Sequence, residues 1–476
     1  MIKDIEKNDN SKLKSRNKIS RMALIYLIPE NESYYVTDDS GYTIMRRPLL
    51  GLQYLSAVLE KKGIKTALLD QSVSGFDLNW LIGELKNYNI IGFYCSDPQE
   101  TKVKDYCQKI KEKSSIPILV GGPSTLSNNS FLDFGCDIVV HGEGEKTIQD
   151  IMLYYNGEKD IEQIRGISFK KNKKIIEAPP QELIENLDSL PFPDRSKVDI
   201  NAYYDYFLFD LKMPYITMIA SRGCLYRCAY CTSCKIWGQR YRRRSVDNVI
   251  AEIDDAVKKY NIKYIAFQDD IFGGTNEWIE NFCKKLIAKP YKIRWMAILH
   301  PFTLKNDIYG TLKLMKEAGC TTLSFGLQTA HPKILKNINR HSLEPQKLKE
   351  TITQANKLGF ITAVGYIFGL PEDTKETIQT TIDYSLNCGS TLANYYTLSI
   401  LRGSDLEQRY KNKKICNLSN EEVLKLATYA SKKFYTKPAI LLKISYMIAK
   451  NPQWLVKTTP HLLSILARIG FAKIKS

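Results

Sequence analysis

Short apolar runs alternate with amphipathic helical segments twice along this chain of 476 residues, and that double alternation sets its fold class as α/β. The first series has strand-like runs at 22–28, 65–70, 90–95, 117–120 and 137–140, with a helix over 49–62 closed by Gly63 between the first two. Strands this short and apolar, separated by helices, form a doubly wound parallel sheet of Rossmann-like type. Ligands of such a sheet sit at the carboxyl ends of its strands. Those ends carry Ser96, Gly121, Gly122 and His141. The second series has strands at 215–220, 264–268, 294–299, 322–325, 361–368 and 393–398, with helices that include 246–260 and 345–358. Six β/α units of this kind make a partial barrel of the TIM type, whose chemistry lies at the C-terminal strand ends. The expected divisions are a flexible basic N-terminus over 1–20, the first α/β domain over 21–160 and a linker over 161–208. The barrel then spans 209–405, and a helical segment spans 406–476. Prolines between Pro179 and Pro193 favour extended chain in the linker.

A hydrophobic content of 44% supports packed cores and excludes a disordered or fibrous chain. The first eighteen residues are charged and polar, without the apolar core of a signal peptide. Eleven cysteines therefore read as reduced thiols in a cytoplasmic setting. Seven of them, Cys95, Cys107, Cys136, Cys283, Cys320, Cys388 and Cys416, are scattered singly, as small core residues are. The net charge of +17 favours anionic surfaces. No nucleic-acid recognition motif accompanies it, so nucleic acid is not an expected partner, and a solvated lysine-rich surface explains the charge equally well. No apolar stretch is long enough to span a bilayer.

Cys224, Cys228 and Cys231 follow the first strand of the second series with C-x3-C-x2-C spacing. Soft thiolates at this density select iron–sulfur or zinc, and three of them leave one iron of a cluster open for chemistry. Cys234 follows at a further C-x2-C step, and as a fourth thiolate it would close the site into an electron-transfer or structural centre. Arg240, Arg242, Arg243 and Arg244 lie just beyond this loop, either to hold a phosphate or to pair with acids of the barrel.

With the aromatic Tyr230 before the last cysteine, the pattern resembles the radical S-adenosylmethionine (SAM) superfamily. That resemblance implies a 4Fe-4S cluster on Cys224, Cys228 and Cys231, whose open iron chelates SAM. Further segments fit in the same order. Phe267 to Phe272 resembles an F-x-D-D-x-F segment, which implies Asp269 or Asp270 as acceptor for the SAM ammonium. Gln328 stands where the superfamily usually has a glutamate that meets the SAM ribose. Gly365, Ile367 and Glu372 fit G-x-I-x-G-x-x-E, which implies backbone contact to adenine and a loop steadied by the glutamate.

The first domain resembles the cobalamin-binding domain found ahead of many radical SAM enzymes, with Ser96 at the family's cobalamin-binding serine after the third strand, and Gly121 and Gly122 at the paired glycines that let the nucleotide tail approach the backbone. The D-x-H-x-x-G loop that supplies an axial histidine is missing, and His141 is the only histidine before His300. Together the resemblances imply a cobalamin-dependent radical SAM enzyme, a methyltransferase acting on an unactivated carbon through a 5′-deoxyadenosyl radical and methylcobalamin. An oxidative cyclase or rearrangement enzyme with cobalamin as redox partner or absent is the alternative. A non-catalytic iron–sulfur protein is a third. The implied partners are a small-molecule or lipid-like substrate and an external reductant such as flavodoxin or ferredoxin. The acid-free stretch 437–476, apolar with Lys443, Lys450, Lys457, Arg468, Lys473 and Lys475, is read either as helices capping the barrel or as a peripheral contact with an anionic membrane.

Overall fold

The computed structural model describes residues 18–29, 45–205, 213–300, 303–304, 307–340, 343–411 and 413–450. They fall into two compact units. Most of the segment read as a flexible N-terminus, and the last 26 residues of the basic tail, lie outside the described residues.

The first unit is built on seven strands: β1 (Arg21–Tyr26), β2 (Lys65–Asp70), β3 (Ile90–Tyr94), β4 (Ile118–Gly121), β5 (Ile138–Val140), β6 (Ile167–Lys171) and β7 (Lys174–Glu177). Their order is β2-β1-β3-β4-β5-β6-β7, with the first five parallel. Alternation along β1 divides the core. Ala23 and Ile25 join Val103, Cys107 and Ile110 of helix α1 (Glu100–Lys113) on one face. Met22 and Leu24 join Ile148 and Ile151 of helix α2 (Gly144–Tyr155) on the other. Order reverses between β1 and β3, the point at which such sheets open a ligand crevice.

The segment expected to be pure linker departs from that reading. Strands β6 and β7 extend the sheet as an antiparallel hairpin. Asn172 and Lys173 form its two-residue turn, both with positive φ (51° and 65°), the geometry of a type I′ connection. Every residue of β7 is exposed, so the strand has no apolar periodicity to mark it.

The second unit carries a six-stranded all-parallel sheet in sequential order: β8 (Tyr215–Met218), β9 (Tyr264–Phe267), β10 (Arg294–Leu299), β11 (Cys320–Gln328), β12 (Ile361–Phe368) and β13 (Leu392–Thr397). β8 and β13 are not neighbours in the sheet, which is the open, partial form of the barrel. Helix α3 (Val246–Tyr260) begins where Ser245 accepts a hydrogen bond from the Asn248 amide, and it ends on Asn261 in left-handed geometry. Phe267 of β9 and Trp295 of β10 pack ring against ring with Phe272 and Phe282. Helix α4 (Asn420–Tyr435) starts on the reciprocal Ser419–Glu422 cap and docks through Tyr435, whose hydroxyl bonds both backbone groups of Ala393. Helix α5 (Pro438–Lys450) buries Ile440 and exposes Leu441, Leu442 and Tyr446.

Candidate active site

The cysteine loop leaves the carboxyl end of β8 and is pinned at both sides by adjacent carboxylates from the end of β9. Asp269 is buried and accepts hydrogen bonds from the Ala220 amide at 3.0 Å and from the Ser221 hydroxyl, just before the cysteines. Asp270 accepts one from Ser233 Oγ at 2.6 Å, just after them. Both side chains therefore hold the loop. Of the two residues expected to meet an ammonium group, Asp269 is enclosed by its own partners, and Asp270 retains exposed surface.

Burial pushes the Asp269 carboxyl up to about 7 and, at the end of β12, that of Asp373 up to about 6. A carboxyl whose folded-state pKa is raised contributes stability below its unfolded value, and loses it as pH rises through the folded value. The urea midpoint should therefore fall as pH rises from about 4 to 7. Asp269→Asn should flatten the upper part of that slope, and an unchanged slope would show that the carboxylate is not held as described.

Arg340 enters the cysteine loop from the turn after the short helix Pro332–Asn337. Its Nη1 lies 3.3 Å from Cys228 Sγ and 3.1 Å from Tyr230 Oη, and its Nη2 donates to the Gly326 carbonyl at 2.5 Å. The Ala229 amide donates to the Ile338 carbonyl at 3.0 Å, tying the loop to the same turn. Tyr226 stacks on His300 with ring centroids 4.0 Å apart. Burial, and the neighbouring charge of Arg340, depress His300 to about 3 and keep it neutral. The sequence reading missed Arg340 and His300; each lies far along the chain from the cysteines and carries no motif of its own.

Burial raises Cys224 to about 11 and Cys231 to about 12, and each is raised further by the charge of Cys228. Both thiols stay protonated until a metal displaces the proton. Among the described residues no three His, Cys, Asp or Glu side chains converge on a point as they would for a single ion. A four-iron cluster needs no such point, because each thiolate takes a different iron. Three free thiols on one short loop fit that donor set. Cys234 sits in the helical turn Ser233–Ile236 beyond them. None of the eleven cysteines forms a disulfide.

The other barrel positions gather at neighbouring strand ends. Gln328 closes β11 with a φ of 72°, next to a register shift against β12. Left-handed backbone is costly for a residue other than glycine, and outside turns and helix caps such strain clusters at functional positions. Its amide nitrogen lies over Gly326, where a Cβ would meet it at 2.5 Å. Gly365 has only ordinary contacts around the place a Cβ would take, so packing within the chain does not require a glycine there, and a ligand approaching the backbone would. Ile367 and Tyr230 pack on one small cluster of Ile334, Ile338 and Leu370. Glu372 is exposed and pairs with Lys333 at 2.8 Å. The loop it was expected to steady is held instead by Asp373, which takes the Gly369 and Leu370 amides at 3.0 and 2.9 Å. The arginine run is structural at its end: Arg244 pairs with buried Glu252 at 2.5 Å. A cavity lined by Lys263, Arg294 and Gly319 opens at the opposite, N-terminal strand ends and takes no part in this site.

In the first unit, Ser96 donates from its amide and its hydroxyl to Gln99 Oε1 at 2.8 and 2.7 Å. Gly122 has a φ of 115° and a ψ of −175°, and a Cβ there would lie 2.6 Å from the Cys95 carbonyl oxygen. Gly121 is freer: a Cβ would meet Val140 no closer than 3.6 Å. His141 Nδ1 lies 2.9 Å from the Thr125 carbonyl, and Nε2 lies 2.8 Å from Ser168 Oγ. A carbonyl can only accept, so Nδ1 carries the proton and Nε2 accepts from the serine. Neither nitrogen is left for a metal.

The model of the Radical SAM superfamily matches residues 218–385, and that of the B12 binding domain matches 47–152. An uncharacterized methyltransferase of Pyrococcus horikoshii is 26% identical over 451 residues, covering 89% of this chain and 94% of the relative. Cytidylyl-2-hydroxyethylphosphonate methyltransferase of Streptomyces wedmorensis is 23% identical over 413 residues, covering 75% and 76%. Among solved structures, the radical SAM methyltransferase TsrM of Kitasatospora setae, with cobalamin and a 4Fe-4S cluster bound, superposes with a TM-score of 0.66 at 17% identity. That superposition covers 83% of this chain and 75% of TsrM. A 4Fe-4S cluster, SAM and cobalamin are the cofactors that the two matched domains imply. The chain therefore carries a B12 binding domain ahead of a radical SAM domain.

Proposed function

We propose that this enzyme is a cobalamin-dependent radical SAM methyltransferase acting on an unactivated carbon of a small molecule. The observation that carries this reading is the loop of three thiols at the carboxyl end of β8, with Cys228 beside the buried Arg340, in a chain that also has a B12 binding domain. Cys224, Cys228 and Cys231 would hold the cluster. Asp270, Gln328, Gly365 and Ile367 surround the strand ends where SAM would lie, and Ser96, Gly121 and Gly122 would meet the cobalamin tail. When bound, the three cofactors supply a carbon-centred oxidant and a transferable methyl group. The chain's part is positional. Asp269 and Asp270 fix the two ends of the cysteine loop. Asp373 sets the Gly369 turn. Tyr230, Ile367 and Leu370 pack in one apolar cluster, which would help to exclude water once the cofactors are bound. An external low-potential reductant of the flavodoxin or ferredoxin kind would deliver the electron.

The test is anaerobic incubation of protein reconstituted with iron, sulfide and hydroxocobalamin with dithionite, methyl-labelled SAM and a small-molecule extract of the source cells. Label should appear on carbon of one extract component. SAM cleavage without label transfer to any component would sink the methyltransferase reading.

The lipid-like substrate and membrane contact rest on α5, whose exposed Leu441, Leu442 and Tyr446 share the helix with Lys443 and Lys450. No helix among the described residues is long and apolar enough to cross a membrane. Basic side chains near an anionic leaflet contribute on the order of 1 kcal/mol each, and salt weakens them. Sedimentation with phosphatidylserine vesicles at low salt should carry the protein down and release it at high salt. Failure to sediment at any salt would leave α5 as a cap on the barrel.

A further inference from the structure

We infer that Arg340 is a positioning residue that sets the reduction potential of the cluster through a charge-assisted hydrogen bond to the Cys228 sulfur; this rests on Cys224, Cys228 and Cys231 as the cluster ligands. Arg340 is only 8% exposed. Among the described residues no carboxylate pairs with it; its Nη atoms go to Cys228 Sγ, Tyr230 Oη and the Gly326 carbonyl, and its Nε is buried with no partner. A buried cation without a counter-charge is costly, and leaving it so is strongly destabilising. The negative charge that would balance it is that of a thiolate at Cys228, which is what an iron ligand is. The geometry is fixed on both sides. Asn339 adopts left-handed backbone (φ 58°) just before Arg340, and the Arg340 amide bonds the Leu335 carbonyl at 2.7 Å. The Ala229–Ile338 bond holds the cysteine loop against the same turn. The fork therefore cannot follow Cys228 elsewhere.

Adding one electron from an external donor makes a cluster more negative, and a fixed positive donor at a ligating sulfur favours that state. Hydrogen bonds to cluster sulfurs are among the determinants that spread such potentials over a wide range. Arg340 would thus ease the reduction that SAM cleavage requires, while Tyr230 Oη, the second partner of Nη1, keeps the fork aimed.

The experiment is a dye-mediated dithionite titration of the reconstituted full chain without SAM, following the reduced cluster by electron paramagnetic resonance. The parent chain, Arg340→Gln and Arg340→Lys are compared, with iron and sulfide measured on each. Arg340→Gln should make reduction at least about tenfold less favourable, a shift of about 59 mV to more negative potential for one electron. Arg340→Lys, which keeps the charge, should stay nearer the parent. An unshifted or more positive potential in Arg340→Gln overturns the inference. If the glutamine variant holds no cluster, the lysine variant decides: a cluster with near-parent potential supports the charge role, and absence of cluster from both variants assigns Arg340 to loop folding and overturns it. A parent chain that assembles no cluster sinks the thiolate reading itself.

Discussion

Replacing Cys224, Cys228 or Cys231 singly by alanine will remove the 4Fe-4S spectrum and reduce SAM cleavage to background, whereas Cys234→Ala will retain both. The asymmetry follows from placement. The first three thiols lie on one loop between the Asp269 and Asp270 anchors. Cys234 lies past Ser233, the residue at which Asp270 ends the loop, in a helical turn. A cluster bound by three thiolates keeps an iron for SAM; a fourth thiolate would occupy it. Iron and sulfide content, absorption near the charge-transfer bands and 5′-deoxyadenosine release are measured on each anaerobically purified variant. Loss of cluster in Cys234→Ala to the same extent as in the other three would show a closed, four-thiolate centre and end the catalytic reading of the loop.

The barrel strands were legible because each is a short apolar run between helices with clear ends. The run at 361–368 coincides with β12, and 294–299 with β10. β11 is longer than its apolar stretch, Cys320–Gln328 against 322–325, because its last residues follow the backbone bulge that turns Gln328 over Gly326. The hairpin β6–β7 was illegible for the opposite reason: β7 is wholly exposed, and only the turn residues Asn172 and Lys173 marked it. At the site, local motifs gave residue types and order but not the partners that tertiary contact decides. Asp269 and Asp270 read as ligands for an ammonium group until the donors of Ala220, Ser221 and Ser233 were in place around them. Arg340 lies 112 positions from Cys228, and no pattern at either place announces the other. Glu372 fits a motif, yet the loop amides go to its neighbour Asp373, whose side chain faces inward while that of Glu372 reaches Lys333.

Cobalamin binding should weaken on enlarging Gly121 and should survive the loss of His141. The paired glycines do different work. Gly122 occupies backbone space that is nearly exclusive to glycine, which costs another residue about 1–3 kcal/mol. Its Cβ would also collide with the Cys95 carbonyl at 2.6 Å. Gly122→Val therefore damages the fold of the first unit whether or not a ligand is present, and its effect on binding proves little. Gly121 has no such constraint, since a Cβ meets only Val140 at ordinary distance. Gly121→Val should keep the melting temperature of the parent and weaken hydroxocobalamin binding by roughly a hundredfold, about 2.8 kcal/mol. His141→Ala gives up two hydrogen bonds, to Thr125 and Ser168, and should lower stability. The absorption spectrum of bound cobalamin should stay as in the parent, because Nδ1 carries a proton and the Nε2 lone pair is taken by the Ser168 hydroxyl. Equilibrium dialysis with hydroxocobalamin, read beside thermal melts of both variants, separates ligand overlap from misfolding. Unchanged affinity in Gly121→Val, with the parent chain binding cobalamin, would move the tail away from the end of β4; a changed spectrum in His141→Ala would place the histidine within reach of cobalt.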